Sequence, residues 1–199
     1  DIRGTGNLLG EAQSGHIREV GVELYQQMLQ DAISAAKAGE NEAATQENHF
    51  VPQINIGIPV MIPEAYVEDL NVRIGLYRRL ADAANEDTES IAAEMRDRFG
   101  PLPAEVENLL QTVEIKKLCR AANVSKLDAG PRGGVIAFHN DSFARPDRLI
   151  QWITQQAGTV KVRPDQKLTI MRAWDDVAVR LEGVKRLLGE LVVLGRAVK

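Results

Sequence analysis

The sequence predicts an α+β fold, with helices packed on a small, mostly antiparallel sheet and preceded by a glycine-rich loop and a helical appendage. Three observations predict it. Ile54, Ile56, Ile58, Val60 and Ile62 alternate without a miss, the period of a strand with one buried face. Apolar residues recur every three or four positions in several separate segments, the period of amphipathic helices. After Asn123 two apolar runs fold back on themselves across turn sequences, "GPRGG" and the stretch around Pro164 and Asp165. The order strand, three helices, hairpin, helix, hairpin, helix suits a sheet covered by helices.

The elements follow in order. Residues 1 to 15, "DIRGTGNLLGEAQSG", are irregular and glycine-rich. Ile17 to Lys37 reads as a helix, with Val20, Leu24, Met28, Ala32 and Ala36 on one face and Gly39 as its stop. Residues 1–38 therefore form one unit, 39–50 an aperiodic linker, and 51–199 a second unit. Pro59 cannot donate to a ladder, so the strand at 54–62 belongs on a sheet edge. Asn71 to Ala84 carries Val72, Leu76 and Leu80; Thr88 is a cap for the helix bearing Ile91, Met95 and Phe99. "FGPLP" breaks the chain, and Pro103 opens a long helix to Ala122 with Val106, Leu109, Leu110, Val113 and Leu118 inward. Pro146 opens a short helix, and a last helix spans Asp175 to Leu194. Its Val177, Leu181, Val184, Leu188 and Leu191 step like a heptad seam, but over only about two heptads, so packing on the sheet is the better reading.

Composition excludes several classes. At 199 residues, 44 % hydrophobic and 26 % charged, the chain is long and apolar enough to bury a core. The net charge of −4 argues against a free-standing nucleic-acid binder, which needs a basic face; Arg73, Arg78 and Arg79 are the one stripe that could serve. Cys119 is the only cysteine, so no intrachain disulfide forms, and it reads as a packing residue. No run of 18 apolar residues exists and no secretory leader is visible, so the expectation is a cytoplasmic protein with no membrane contact. The chain opens at Asp1 inside a dense motif and reads as a piece of a longer polypeptide.

Catalytic and metal signals are absent from the residue pattern. Gly4, Gly6 and Gly10 are spaced one residue too long for a dinucleotide loop and follow no strand. His16, His49 and His139 have no ligand spacing. Arg3 and Gln13 are the chemically versatile members of the opening loop, since a guanidinium offers a fixed fork of donors and an amide both donates and accepts. Glu94, Asp97 and Arg98 share one side of a helix beside the Ile91–Met95–Phe99 stripe. By spacing alone Glu94 and Arg98 are a solvated i,i+4 pair; the alternative is a charged docking patch.

Three segments carry a resemblance. "DIRGTGNLLGEAQSGHIREVGVELYQQML", "PQINIGIPVMIPEAYVEDLNVRIGLYRRLADA" and "DRFGPLPAEVENLL" resemble, in order, the end of the motor and the C-terminal domain of the bacterial transcription-repair coupling factors. The resemblance implies an ATP- and magnesium-dependent double-stranded DNA translocase that displaces stalled RNA polymerase and recruits nucleotide excision repair. Arg3 and Gln13 match the translocation motif that the family shares with the RecG translocase, where they couple hydrolysis to movement. Glu94, Asp97 and Arg98 match the residues by which the family's C-terminal domain docks on its UvrB-like N-terminal module and hides the UvrA-recruiting surface. Residues 1–38 would then end the second motor lobe and 51–199 would be a regulatory, autoinhibitory domain. Because it lacks a Walker A sequence, this piece would hold no cofactor and perform no catalysis; separately, it would be monomeric. The alternatives are a nucleic-acid-binding module and a dimeric scaffold built on the last helix.

Overall fold

Three aspartates each start a helix. Asp69 accepts from the backbone N–H groups of Asn71 and Val72 and caps α1, Leu70–Ala81. Asp87 accepts from the N–H of Glu89 and caps α2, Thr88–Phe99. Asp176 accepts from the N–H of Val179 and caps the last helix, Val177–Gly195. Each carboxylate satisfies N–H donors that the first helical turn leaves unpaired. The expected cap Thr88 is instead the first helical residue. Its hydroxyl is buried against the Glu114 carboxylate, and Asp87 one position earlier takes the cap.

The computed structural model describes residues 50–82, 87–156 and 158–196. The glycine-rich loop and helix expected within 1–38 and the linker up to residue 49 lie outside these residues, and the helix expected to reach Ala84 ends at Ala81 with Asp82 as its C-cap. Between the capped helices stand α3, Ala104–Ala121, entered through Pro103, and α4, Pro146–Gln155, with Pro146 in its first turn; the last helix is α5. The strands are β1, Gln53–Asn55; β2, Val124–Gly130; β3, Gly133–Phe138; β4, Val160–Val162; and β5, Leu168–Met171. They form one sheet in the order β1-β2-β3-β5-β4, antiparallel except where β1 joins β2 in parallel. Both expected hairpins are present, and α4 carries the chain across so that β5 rather than β4 lies beside β3.

The register explains the core. Leu127 faces Ile136, and Ile136 faces Leu168, so three buried aliphatic side chains cross the sheet in one row. On this face lie Ile115 and Cys119 of α3, Trp152 of α4, and Leu181, Val184, Leu188 and Leu191 of α5. Apart from its exposed first member, Val177, the heptad-like seam of α5 is therefore used within the fold, as its packing reading expects. At Gly133, φ is +121° and a β-carbon would run into the Ile170 carbonyl, so only glycine fits where β3 meets β5.

A second core lies among α1, α2 and the first half of α3, where Leu76, Leu80, Ile91, Met95, Val106 and Leu109 are buried. The stretch Ile54–Ile62 joins the two. It is a strand only through Asn55, on the sheet edge, and the expectation of a strand to Ile62 is corrected. Asn55 accepts from the N–H of Gly57, whose φ is +68°, and Pro59 and Pro63 cannot supply ladder N–H groups. Beyond Asn55 the chain runs extended between cores: Ile54, Ile56 and Ile58 pack on the sheet side, Val60 and Ile62 on the helical side. Pro59 lies in this crossing and not in an edge strand. Arg180 of α5 fastens the crossing, donating to the Ile56 carbonyl (2.9 Å) and the Trp174 carbonyl (3.0 Å) from a buried position.

Candidate functional site

The face that the sequence singles out is built by α2. Ile91, Ala92 and Met95 point into the helical core with at most 1 % of their surface exposed. That turns Glu94, Asp97 and Arg98 outward. Glu94 is half-buried, while Asp97 and Arg98 are exposed. The structure thus brings these three together on one accessible face; Arg3 and Gln13 lie outside the described residues.

Glu94 is held from two sides. Its Oε1 accepts from Arg98 Nη1 at 2.8 Å, within α2, and its Oε2 accepts from Arg79 Nη1 at 2.7 Å, across from α1. The hydrogen bond from Arg79, and then that from Arg98, lower the carboxyl's pKa below its ordinary value. Glu94 is consequently a fixed anion at neutral pH and not a proton donor. Asp97 makes no side-chain hydrogen bond or ion pair with the described residues, and its carboxylate stands open to solvent.

The end of α2 is clamped from below. The Tyr66 hydroxyl lies 3.0 Å from the Met95 carbonyl and 2.8 Å from the Gly100 carbonyl and shares its one proton between them. The Gly100 carbonyl lies past the last residue of α2, so the hydroxyl ties the helix to the turn that follows it. The Tyr66 ring meets Phe99 edge-on at 5.8 Å, and the Arg98 guanidinium sits 4.9 Å from the centre of the Phe99 ring. Burial raises the Tyr66 pKa, so the hydroxyl keeps its proton and its donor role. Asp97 and Arg98 therefore ride on a fixed platform.

Arg79 and Tyr66 were beyond sequence reasoning as parts of this face. Arg79 is separated from Glu94 by fifteen positions and Tyr66 from Gly100 by thirty-four, so no local period links them. The same contacts count against the arginine stripe as a phosphate-binding surface. Arg79 is engaged with Glu94, and Arg73 donates to the carbonyls of Val67 (2.7 Å) and Glu68 (3.1 Å). A face of two carboxylates and one partly neutralised guanidinium offers charge for recognition, with no nucleophile beside a base.

The fold agrees with known proteins. A family model described as the TRCF domain matches residues 56–149, from the crossing segment through α2 and α3 into α4. A transcription-repair-coupling factor from Rickettsia conorii is 43 % identical over 183 residues, 92 % of this chain. The chain belongs to the transcription-repair coupling factor family. The Haemophilus influenzae and Escherichia coli transcription-repair-coupling factors are 35 % and 30 % identical over 94 % and 96 % of the chain. The chain spans about a sixth of the length of these relatives, 16 % to 17 %. A crystal structure of the C-terminal domain of a transcription-repair coupling factor superposes with a TM-score of 0.58, covering 76 % of this chain and 98 % of that one. At 18 % identity it shares the fold. Among the described residues no helix is long and apolar enough to cross a membrane.

Proposed function

We propose that this chain is the regulatory C-terminal part of an ATP-driven double-stranded DNA translocase that displaces stalled RNA polymerase and couples transcription to nucleotide excision repair. Its α2 ridge, Glu94, Asp97 and Arg98, docks on the UvrB-like N-terminal module of the same polypeptide and masks UvrA recruitment. The observation that carries this reading is the pairing of a clamped anion, Glu94, with an open one, Asp97, on a rigid outward face. A surface held in position before contact loses little entropy on binding. Masking a site a hundredfold needs only about 2.7 kcal/mol of coupling, within reach of a small set of interfacial charges.

Arg3 and Gln13 are proposed to couple hydrolysis to movement in the intact protein, with ATP and magnesium held by parts of the polypeptide that this chain does not include. The chain has no Walker A sequence, so this piece acts as a binding domain and not as the hydrolase. The test is affinity between this chain and the isolated N-terminal module, repeated with Glu94→Lys and Asp97→Lys together. Loss of binding, with UvrA binding exposed in the intact protein, is the expected result. Unchanged affinity in the double variant removes the docking reading.

A further inference from the structure

A groove of about 780 Å³ opens between the N-terminal part of α2, the first half of α3 and the N-terminus of α5. Its floor is apolar: Ala92, Leu110 and Leu181 are nearly closed from solvent, with Leu102 half-buried beside them. Val177, at the start of α5, stands on the margin with 40 % of its surface exposed. One wall is pinned where Lys185 of α5 donates to the Gln111 side chain of α3 at 2.8 Å.

The rim is acidic on every side. Asp87 and Glu89 come from α2, Glu107 and Glu114 from α3, Asp176 and Glu182 from α5 and its cap. Among the described residues Arg96 is the one cation lining the groove, and it pairs with Glu89 at 2.8 Å. Lys117 and Lys185 flank the rim and pair with Glu114 and Glu182. Three carboxylates remain in excess after all three pairs are counted. Of these, Glu107 is exposed and has no side-chain partner among the described residues.

We propose that this groove docks a cationic amphipathic peptide segment of a partner protein, its apolar side on Leu110, Leu181 and Val177 and its lysines or arginines among the carboxylates. Charge complementarity selects that occupant. Residues 1–49 carry eight carboxylates against three lysines and arginines, so they are the wrong sign, and a second copy brings a net charge of −4. Nucleic acid is repelled by the same rim. The groove is separate from the ridge: Ala92 and Glu89 lie about 160° and 140° round α2 from Glu94, so both faces are usable at once.

The test titrates this chain with a fluorescent lysine–leucine peptide of helical period, its glutamate–leucine counterpart, and spermine as a competitor without an apolar face. The lysine peptide is expected to bind and to weaken with salt, the glutamate peptide not to bind, and spermine to compete poorly. Glu107→Lys with Glu182→Lys should weaken the lysine peptide about tenfold, since two attractions become repulsions. Glu64→Lys with Glu68→Lys, the same change in net charge outside the groove, should leave it within about twofold. Val177→Ser, which leaves the charge unchanged and removes an apolar contact, should weaken binding as well. Equal losses from the two double variants, equal binding of both peptides, full competition by spermine, or an unaffected Val177→Ser would each overturn the proposal.

Discussion

Arg79 on α1 and Glu94 on α2 meet at 2.7 Å, and this contact ties the outward ridge to the neighbouring helix. It is a half-exposed pair, so its contribution to stability is under about 1 kcal/mol. Its larger effect is on where Glu94 points and when it is charged. Of its two oxygens, one is left to Arg98 and one to Arg79.

Arg79→Ala is expected to raise the Glu94 pKa toward 4.5, its ordinary value. The sign follows from linkage. A carboxyl with a depressed folded pKa stabilises the fold above its unfolded pKa, and that contribution is lost as pH falls through the folded value. The native chain should thus keep Glu94 ionised to lower pH than the variant does. A carbon-13 titration of the Glu94 carboxyl checks this; coincident curves for the two proteins would refute it. Any ridge-dependent binding should show the same acid-side displacement.

Lys116→Met should stabilise the protein at neutral pH. Lys116 is buried in α3, and its Nζ has no hydrogen-bond partner among the described residues. Burial first, and then the charge of Arg120, push its pKa down to about 8 from 10.5. Between those values the unfolded chain binds more protons, so native stability climbs with pH across that window; below it the full cost of the buried charge is present. Methionine fills similar space without the charge, so the gain at pH 7 is on the order of 2 kcal/mol. Urea unfolding of both proteins at pH 7 and above 10.5 tests it. The difference should close at high pH, and a gap independent of pH would rule out the lysine's titration as its source.

Gly183→Ala should destabilise, against helix propensity. Gly183 lies inside α5, where alanine is ordinarily preferred by about 1 kcal/mol. Here an added β-carbon enters the indole of Trp174, which is buried and not free to swing away. Overpacking of this kind costs about 1–3 kcal/mol, enough to reverse the propensity gain. Thermal melts decide the sign: a raised midpoint would mean that Trp174 yields easily.

The helices were legible in the sequence because each buries one stripe. Ile91 and Met95, or Val184, Leu188 and Leu191, repeat at the helical period and are buried as that period demands. Both hairpins were legible from their turn residues. The segment Ile54–Ile62 was misread because alternation records an extended chain with buried faces, not a ladder partner. Here the faces belong to two different cores, and Gly57, Pro59 and Pro63 take the chain off the sheet. The order of β5 and β4 was not legible because α4 intervenes, and nothing local records which strand of the hairpin lands on β3. Of the candidate site, the shared outward face of Glu94, Asp97 and Arg98 was legible through helical spacing. Their fastening by Arg79 and Tyr66 was not, since it exists only once α1 and the segment before it are packed on α2. The acidic groove likewise needs three helices assembled before its carboxylates face one another.

Helix α3 belongs to both cores along a single uninterrupted rod of 18 residues: Val106 and Leu109 lie in one, Ile115 and Cys119 in the other. There is consequently no joint between the layer that carries the ridge and the layer that carries the sheet. A tug on the sheet end of the molecule would tilt the ridge as an oar tilts its blade, so release of the proposed dock would need no part of the domain to come apart.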